Sequence, residues 1–269
     1  MQVLFVRHAE SLNNYLKDLH IQPGKARLRY PDPALSEKGS LQLKYMGEGI
    51  TRMIRLRRPP IRGIPSHTQP LRIFLAVSPM RRTLLTAIPI MEALEHFPHL
   101  PTSLTTKIVP FIFEKGGCYS DTDAGTVKAY PGLNSTEANQ IIPSALIENP
   151  ETMQGGWWKS DTRETLEAFQ SRVTKTVSWI EKHACEDLCD VLILVTHEGF
   201  ACACLRQFLL SQPPLLDWLY NGSFSSLTLT PSENALDDIS DGDTQDHKHV
   251  HVVVDYLNSV AHLPLDTIT

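Results

Sequence analysis

Four short apolar runs in this chain are each followed closely by a residue able to do chemistry. Arg7-His8 follow residues 2–6, Arg81-Arg82 follow residues 72–77, Glu114 follows residues 107–113, and His197-Glu198 follow residues 190–196. These residue types suit attack on a phosphate monoester. Such an ester is a dianion, so its oxygens must be neutralised, a nucleophile placed in line, and a proton given to the leaving oxygen. The arginine fork donates several fixed hydrogen bonds to phosphate. A neutral imidazole serves as nucleophile, and a carboxyl group supplies the proton.

What must position them is a set of strand ends. The runs 2–6, 72–77, 107–113 and 190–196 are short, apolar and rich in branched or aromatic residues, the pattern of strands covered on both faces. Helical patterns occupy residues 36–53, 79–94, 163–183 and 200–210, with Leu166, Phe169, Val173, Val177 and Ile180 spaced by three and four. Asp161 and Glu164 are the expected caps of the third helix. Residues 223–230 and 249–257 read as two further strands. Strand alternating with helix predicts a three-layer α/β/α sandwich with a mostly parallel central sheet. In such sheets ligands bind outside the carboxyl ends of the strands, where the two histidines, the arginines and Glu114 fall.

The run VRHAESLNN, Val6 to Asn14, resembles the N-terminal motif of the histidine phosphatase superfamily, in its phosphoglycerate mutase-like branch. Four further blocks resemble that family in order: LSEKGSLQLKYMG from Leu35, SPMRRTLLTA from Ser78, FIFEKGG from Phe111 and LVTHEGF from Leu194. The tail, with Asn258 and His262-Leu263, resembles the terminal strand pair. The resemblance implies that His8 is the nucleophile and that Arg7, Asn14, Arg82 and His197 bind the phosphoryl group. Glu114 is then the general acid and base, and Arg81 falls in a variable slot. Ala9 stands where the family usually has glycine, as does Glu198 after the second histidine. The resemblance further implies a metal-independent phosphatase acting through a phosphohistidine, with no cofactor and no metal. Two other readings compete: phosphoryl transfer of the phosphoglycerate mutase type, and a non-catalytic module binding a phosphorylated ligand. The secreted acid phosphatase branch fits less well, since Glu10-Ser11-Leu12 and His197-Glu198 replace its Arg-His-Gly-x-Arg-x-Pro run and His-Asp pair.

The 269 residues, 42% hydrophobic and 20% charged, suit one domain spanning residues 1–269. Three segments read as insertions, near 51–72, 116–160 and 232–246. The first holds arginines and no acid, the second the pair Trp157-Trp158, and the third acids and no base. The basic segment reads as a solvated insertion, with a polyanion or membrane surface as its functional alternative. Trp157 and Trp158 either line a lid over the pocket or anchor their loop to the core. A net charge of −5 gives no reason to expect a nucleic-acid partner. The only apolar run near the start is Val3 to Val6, too short for a leader, and no run approaches the length of a membrane span. Five cysteines without CxxC spacing read as free thiols rather than zinc ligands, and His247, His249 and His251 as surface residues. A cytoplasmic location and a small phosphorylated metabolite or phosphoprotein substrate are expected; no pattern specifies an oligomeric state.

Overall fold

Strand β1, Gln2–Arg7, is buried along its whole length, and the reason is cover on both faces. Leu4 and Val6 enter one apolar cluster, Val3 and Phe5 the other. The computed structural model describes residues 1–19, 29–56, 70–97, 101–121, 127–209, 218–232 and 250–269. On one side of β1 runs β7 (Val191–Thr196), followed by β2 (Leu71–Val77), β3 (Thr102–Ile108) and the short β6 (Leu146–Ile147), all parallel. On the other side β8 (Phe224–Pro231) and then β9 (Val250–Ser259) pair antiparallel. The seven-stranded order is β6-β3-β2-β7-β1-β8-β9, with a separate pair formed by β4 (Tyr119–Asp121) and β5 (Val127–Ala129).

Helices α2 (Glu37–Leu56) and α3 (Arg81–Glu95) cover one face of the sheet, setting Met46, Ile50, Leu84 and Ile90 against Leu4, Val6, Leu75 and Val77. Helices α5 (Leu166–Cys185) and α6 (Glu198–Phe208) cover the other with Phe169, Val177, Phe200 and Leu205. The fold is therefore the expected three-layer sandwich, with α1 (Leu12–Leu19) and α4 (Ser135–Ile141) as shorter additions.

Two expectations are corrected. The third strand ends at Ile108, and residues 109–113 leave the sheet as an irregular segment. The cap of α5 is Thr165, whose hydroxyl accepts from the Ala168 N–H at 3.1 Å; neither Asp161 nor Glu164 caps it. Thr165 holds the extended backbone a cap needs, and Glu164 has another partner. Trp157 and Trp158 pack on Phe113 at 5.0 and 5.4 Å and anchor their loop. Residues 51–56 complete α2, while most of the basic segment, the acidic segment, His247 and His249 lie outside the described residues. Among the described residues the cysteines are free thiols, and no helix is long and apolar enough to cross a membrane.

Candidate active site

Parallel pairing sets four strand ends side by side, with Arg7 opposite Thr196 and Val77 opposite both Val195 and Ile108. Each chain is tied to its neighbour as it leaves the sheet. The His8 N–H donates to the Thr196 carbonyl at 3.0 Å, Ser78 to Val195 at 3.0 Å, and Val109 to Val77 at 2.8 Å. Backbone bonds of this kind fix where His8, Arg82, Glu114 and His197 begin.

The tautomer of His8 follows from its neighbours. Its Nδ1 lies 2.7 Å from the Ala9 carbonyl, which can only accept, so Nδ1 carries the hydrogen. Its Nε2 accepts from the Arg82 Nε–H at 3.0 Å and therefore holds a lone pair. Burial, reinforced by the Arg82 and Arg7 charges, holds the His8 pKa well below the ordinary 6.5. The imidazole is thus neutral, with its nucleophilic nitrogen facing a guanidinium. His197 sits edge-on to it, with ring centroids 5.2 Å apart. Its Nε2 bonds the Ser78 hydroxyl at 2.8 Å, while its Nδ1 is buried without a hydrogen-bond partner. Burial and then Arg82 and His8 depress its pKa in turn.

The two arginines are buried and held by acids. Arg7 donates to the Leu219 carbonyl and pairs with Glu198 at 2.8 Å, leaving a buried Nε without a partner. This gives Glu198, whose role the sequence left open, a definite contact: it holds and partly neutralises Arg7. Arg82 lies 3.8 Å from Asp32, which also accepts two bonds from the Arg81 backbone N–H. Burial pushes the Asp32 carboxyl up to about 6 against the pull of Arg82, and lowers the Arg82 pKa to about 10. The Arg81 side chain is exposed and does not line the pocket; its backbone N–H, on Asp32, is what touches the site.

Glu114 reaches the pocket from the segment after β3. Its carboxylate accepts from the Lys115 N–H at 2.7 Å and from the Gly199 N–H, in the first turn of α6, at 3.4 Å. A Cβ at residue 199 would stand 2.8 Å from Glu114 Oε1. Gly199→Ala is therefore expected to push the carboxylate off its seat and to lower kcat on an alkyl phosphate about ten- to a hundredfold. Steady-state kinetics on the folded variant checks this; an unchanged kcat would separate Glu114 from the chemistry.

Arg7, His8, Asn14, Arg82 and Glu114 line one pocket of about 380 Å³, and the His197 ring lies edge-on to His8 without lining it. The Asn14 amide oxygen accepts from the Ser11 hydroxyl at 2.6 Å, so the Nδ2 group is the donor end of its side chain toward the pocket. All the residues singled out in the sequence are brought together. Sequence reasoning missed Lys17, Arg29, Tyr119 and Arg163, which line the same pocket, and Asp32 beside Arg82. Asp32 had a signal, as an acid just before the block that starts at Leu35, and Lys17 lies three residues after Asn14 on α1; Arg29, Tyr119 and Arg163 lie on segments that only the fold brings together.

The histidine phosphatase superfamily (branch 1) family model matches residues 127–242. That segment contains His197 but not Arg7-His8. None of the curated proteins compared with the chain matches it in sequence. Among solved structures, a protein described as mycobacterial hydrolase 2 is 17% identical, with 98% of this chain and 93% of that chain covered at a TM-score of 0.50. Mycobacterial glucosyl-3-phosphoglycerate phosphatase, complexed with VO3, is 16% identical, with 96% and 98% covered at 0.48. The protein histidine phosphatase SixA, complexed with tungstate, is 12% identical, with 86% and 89% covered at 0.42.

Proposed function

We propose that the chain is a member of the histidine phosphatase superfamily, whose branch 1 model matches residues 127–242, and that it is a metal-independent phosphatase. It hydrolyses a phosphate monoester through a phosphohistidine on His8. The observation that carries this reading is the state of His8: a buried neutral imidazole, its lone pair on Nε2, in a pocket with two arginines and a carboxylate.

In the first step the Nε2 lone pair forms a bond to phosphorus and the ester P–O bond breaks. The leaving oxygen takes its proton from the Glu114 carboxyl. In the second, the Glu114 carboxylate removes a proton from water, the water oxygen bonds phosphorus, and the N–P bond breaks to release phosphate and neutral His8. Arg82 turns its Nε–H from His8 to a phosphoryl oxygen as the ester enters. Arg7 Nε and His197 Nδ1, each buried without a partner, supply further contacts, as does Asn14 Nδ2. Arg7 and Arg82 bring the positive charge that a divalent cation brings to other phosphoryl-transfer sites. Free cysteines support a reducing compartment, so a cytoplasmic location is part of the proposal.

The test is turnover of an aryl phosphate in chelator, followed by denaturing quench. A protein-bound phosphate that is stable in base and labile in acid is the expected intermediate. A strict requirement for added metal, or an acid-stable phosphoserine, would overturn the mechanism, whereas a need for a bisphosphorylated primer would mark a mutase. Glu114→Gln is expected to slow alkyl esters by about two to four orders of magnitude. Aryl esters with good leaving groups should slow much less; equal losses on both would remove Glu114 from the acid role.

A further inference from the structure

Arg7 and Arg82 each have an acid beside them, but the two acids stand in different places. Asp32 lies 3.8 Å from Arg82 and does not line the pocket. Glu198 pairs with Arg7 at 2.8 Å, lines the pocket, and has a side chain 27% exposed against 7% for Arg7. An anion entering the pocket therefore meets a carboxylate on the guanidinium it has to bind.

The bonding of Arg7 makes this a competition. One terminal nitrogen donates to the Leu219 carbonyl, the other pairs with Glu198, and Nε is buried without a partner. A two-point grip on phosphate uses Nε–H with a terminal N–H, or both terminal nitrogens. Either grip calls on a nitrogen already engaged. The carbonyl belongs to the backbone of buried Leu219, so the carboxylate is the group that can yield. Glu198 also opens α6, and the N–H groups at a helix start favour negative charge. The carboxylate thus keeps a stabilising place when it leaves Arg7. A phosphate dianion and a carboxylate held on one guanidinium would repel each other.

We propose that Glu198 is a built-in competitor for Arg7 that holds the affinity of the site for phosphate low, so that product leaves once the phosphohistidine is hydrolysed. The link to product release rests on the phosphatase reading; the competition itself concerns phosphate binding alone. Between turnovers Glu198 supplies the counter-charge that a buried guanidinium requires. As an ester binds, part of the binding energy goes into displacing the carboxylate, and as phosphate departs the carboxylate returns. A carboxylate that only anchored Arg7 would act in the opposite sense: without it Arg7 would drift and phosphate would bind less tightly.

The test titrates inorganic phosphate into the wild type and into Glu198→Gln by calorimetry. Glutamine keeps the length of the side chain and an oxygen for Arg7 but removes the charge. The dissociation constant should fall about ten- to a hundredfold. The ratio between the two proteins should persist at high salt, because a partly buried contact is screened far less than a distant charge. An unchanged or larger dissociation constant would overturn the proposal and leave Glu198 as an anchor of Arg7. A gain that disappears at high salt would overturn it too, as the mark of a general field rather than of competition for one guanidinium. Unfolded protein lowers only the stoichiometry of such a titration, so a variant that folds in part still gives the answer. During turnover of an aryl phosphate, the product-inhibition constant of phosphate should fall by the same factor. If it stays put while direct binding tightens, the link to product release fails. Should neither protein turn over an ester, the phosphatase reading fails instead, and the phosphate titration still decides the competition.

Discussion

His8→Ala is expected to lower turnover of an aryl phosphate by at least about four orders of magnitude, while inorganic phosphate still binds. The substitution removes the nitrogen lone pair that accepts from Arg82 and leaves Arg7, Arg82 and His197 in place. It also frees the Arg82 Nε–H for a phosphoryl oxygen. Activity surviving intact would mean that the nucleophile lies elsewhere. The same variant tests the charge state of the ring. Because His8 has a pKa well below 6.5 when folded, the folded protein binds fewer protons than the unfolded chain at pH values between the two. The resulting stability is present above 6.5 and is lost as pH falls through 6.5 toward the folded value, by about 1.4 kcal/mol per pH unit. His197 adds a second loss of the same sign. Denaturant titrations of His8→Ala should therefore fall less steeply below pH 6.5 than those of the wild type. Parallel curves would contradict a buried, neutral His8.

Much of this site was legible because its residues stand where buried strands stop. A strand covered on both faces reads as an unbroken apolar run, as in Val3 to Val6 and Leu192 to Val195, and the first polar residue after it marks the end of the sheet. Glu114 was found by a less direct path. The apolar run from Val109 to Phe113 resembles a strand, yet it is buried as loop: Val109 and Ile112 join one core cluster and Phe113 the other. The true strand, β3, begins with exposed Ser103 and Thr105 alternating with half-buried Thr102 and Leu104, because only two of its residues pair with β6. Local pattern reported burial correctly and backbone geometry incorrectly. Tyr119 and Arg163 illustrate the other gap. Arg163 precedes the Thr165 cap rather than opening the helix, and its partner lies 44 positions away, a separation no periodicity encodes.

The segment carrying Glu114 is held by a buried ion pair, and breaking that pair should cost both stability and activity. Arg172 bonds Glu164 through two nitrogens at 2.7 Å each, with side chains only 10% and 5% exposed. The same guanidinium donates to the Phe111 and Phe113 carbonyls at 3.0 and 2.9 Å and lies 3.6 Å over the Phe113 ring. Glu164 and Gly116 exchange two bonds, at 3.1 and 3.2 Å, so the clamp grips the chain on both sides of Glu114. Arg172→Met leaves a buried carboxylate unpaired and two carbonyls without donors, a loss of about 3–5 kcal/mol. Pairing it with Glu164→Leu removes the stranded charge, so much of the stability should return. Activity should not return with it, because neither new side chain can hold the Phe111 and Phe113 carbonyls or the Gly116 N–H. Denaturant titration and kcat on an alkyl phosphate, measured on the single and double variants, separate the two effects. If kcat recovers along with stability, the clamp contributes folding energy alone and Glu114 finds its place without it.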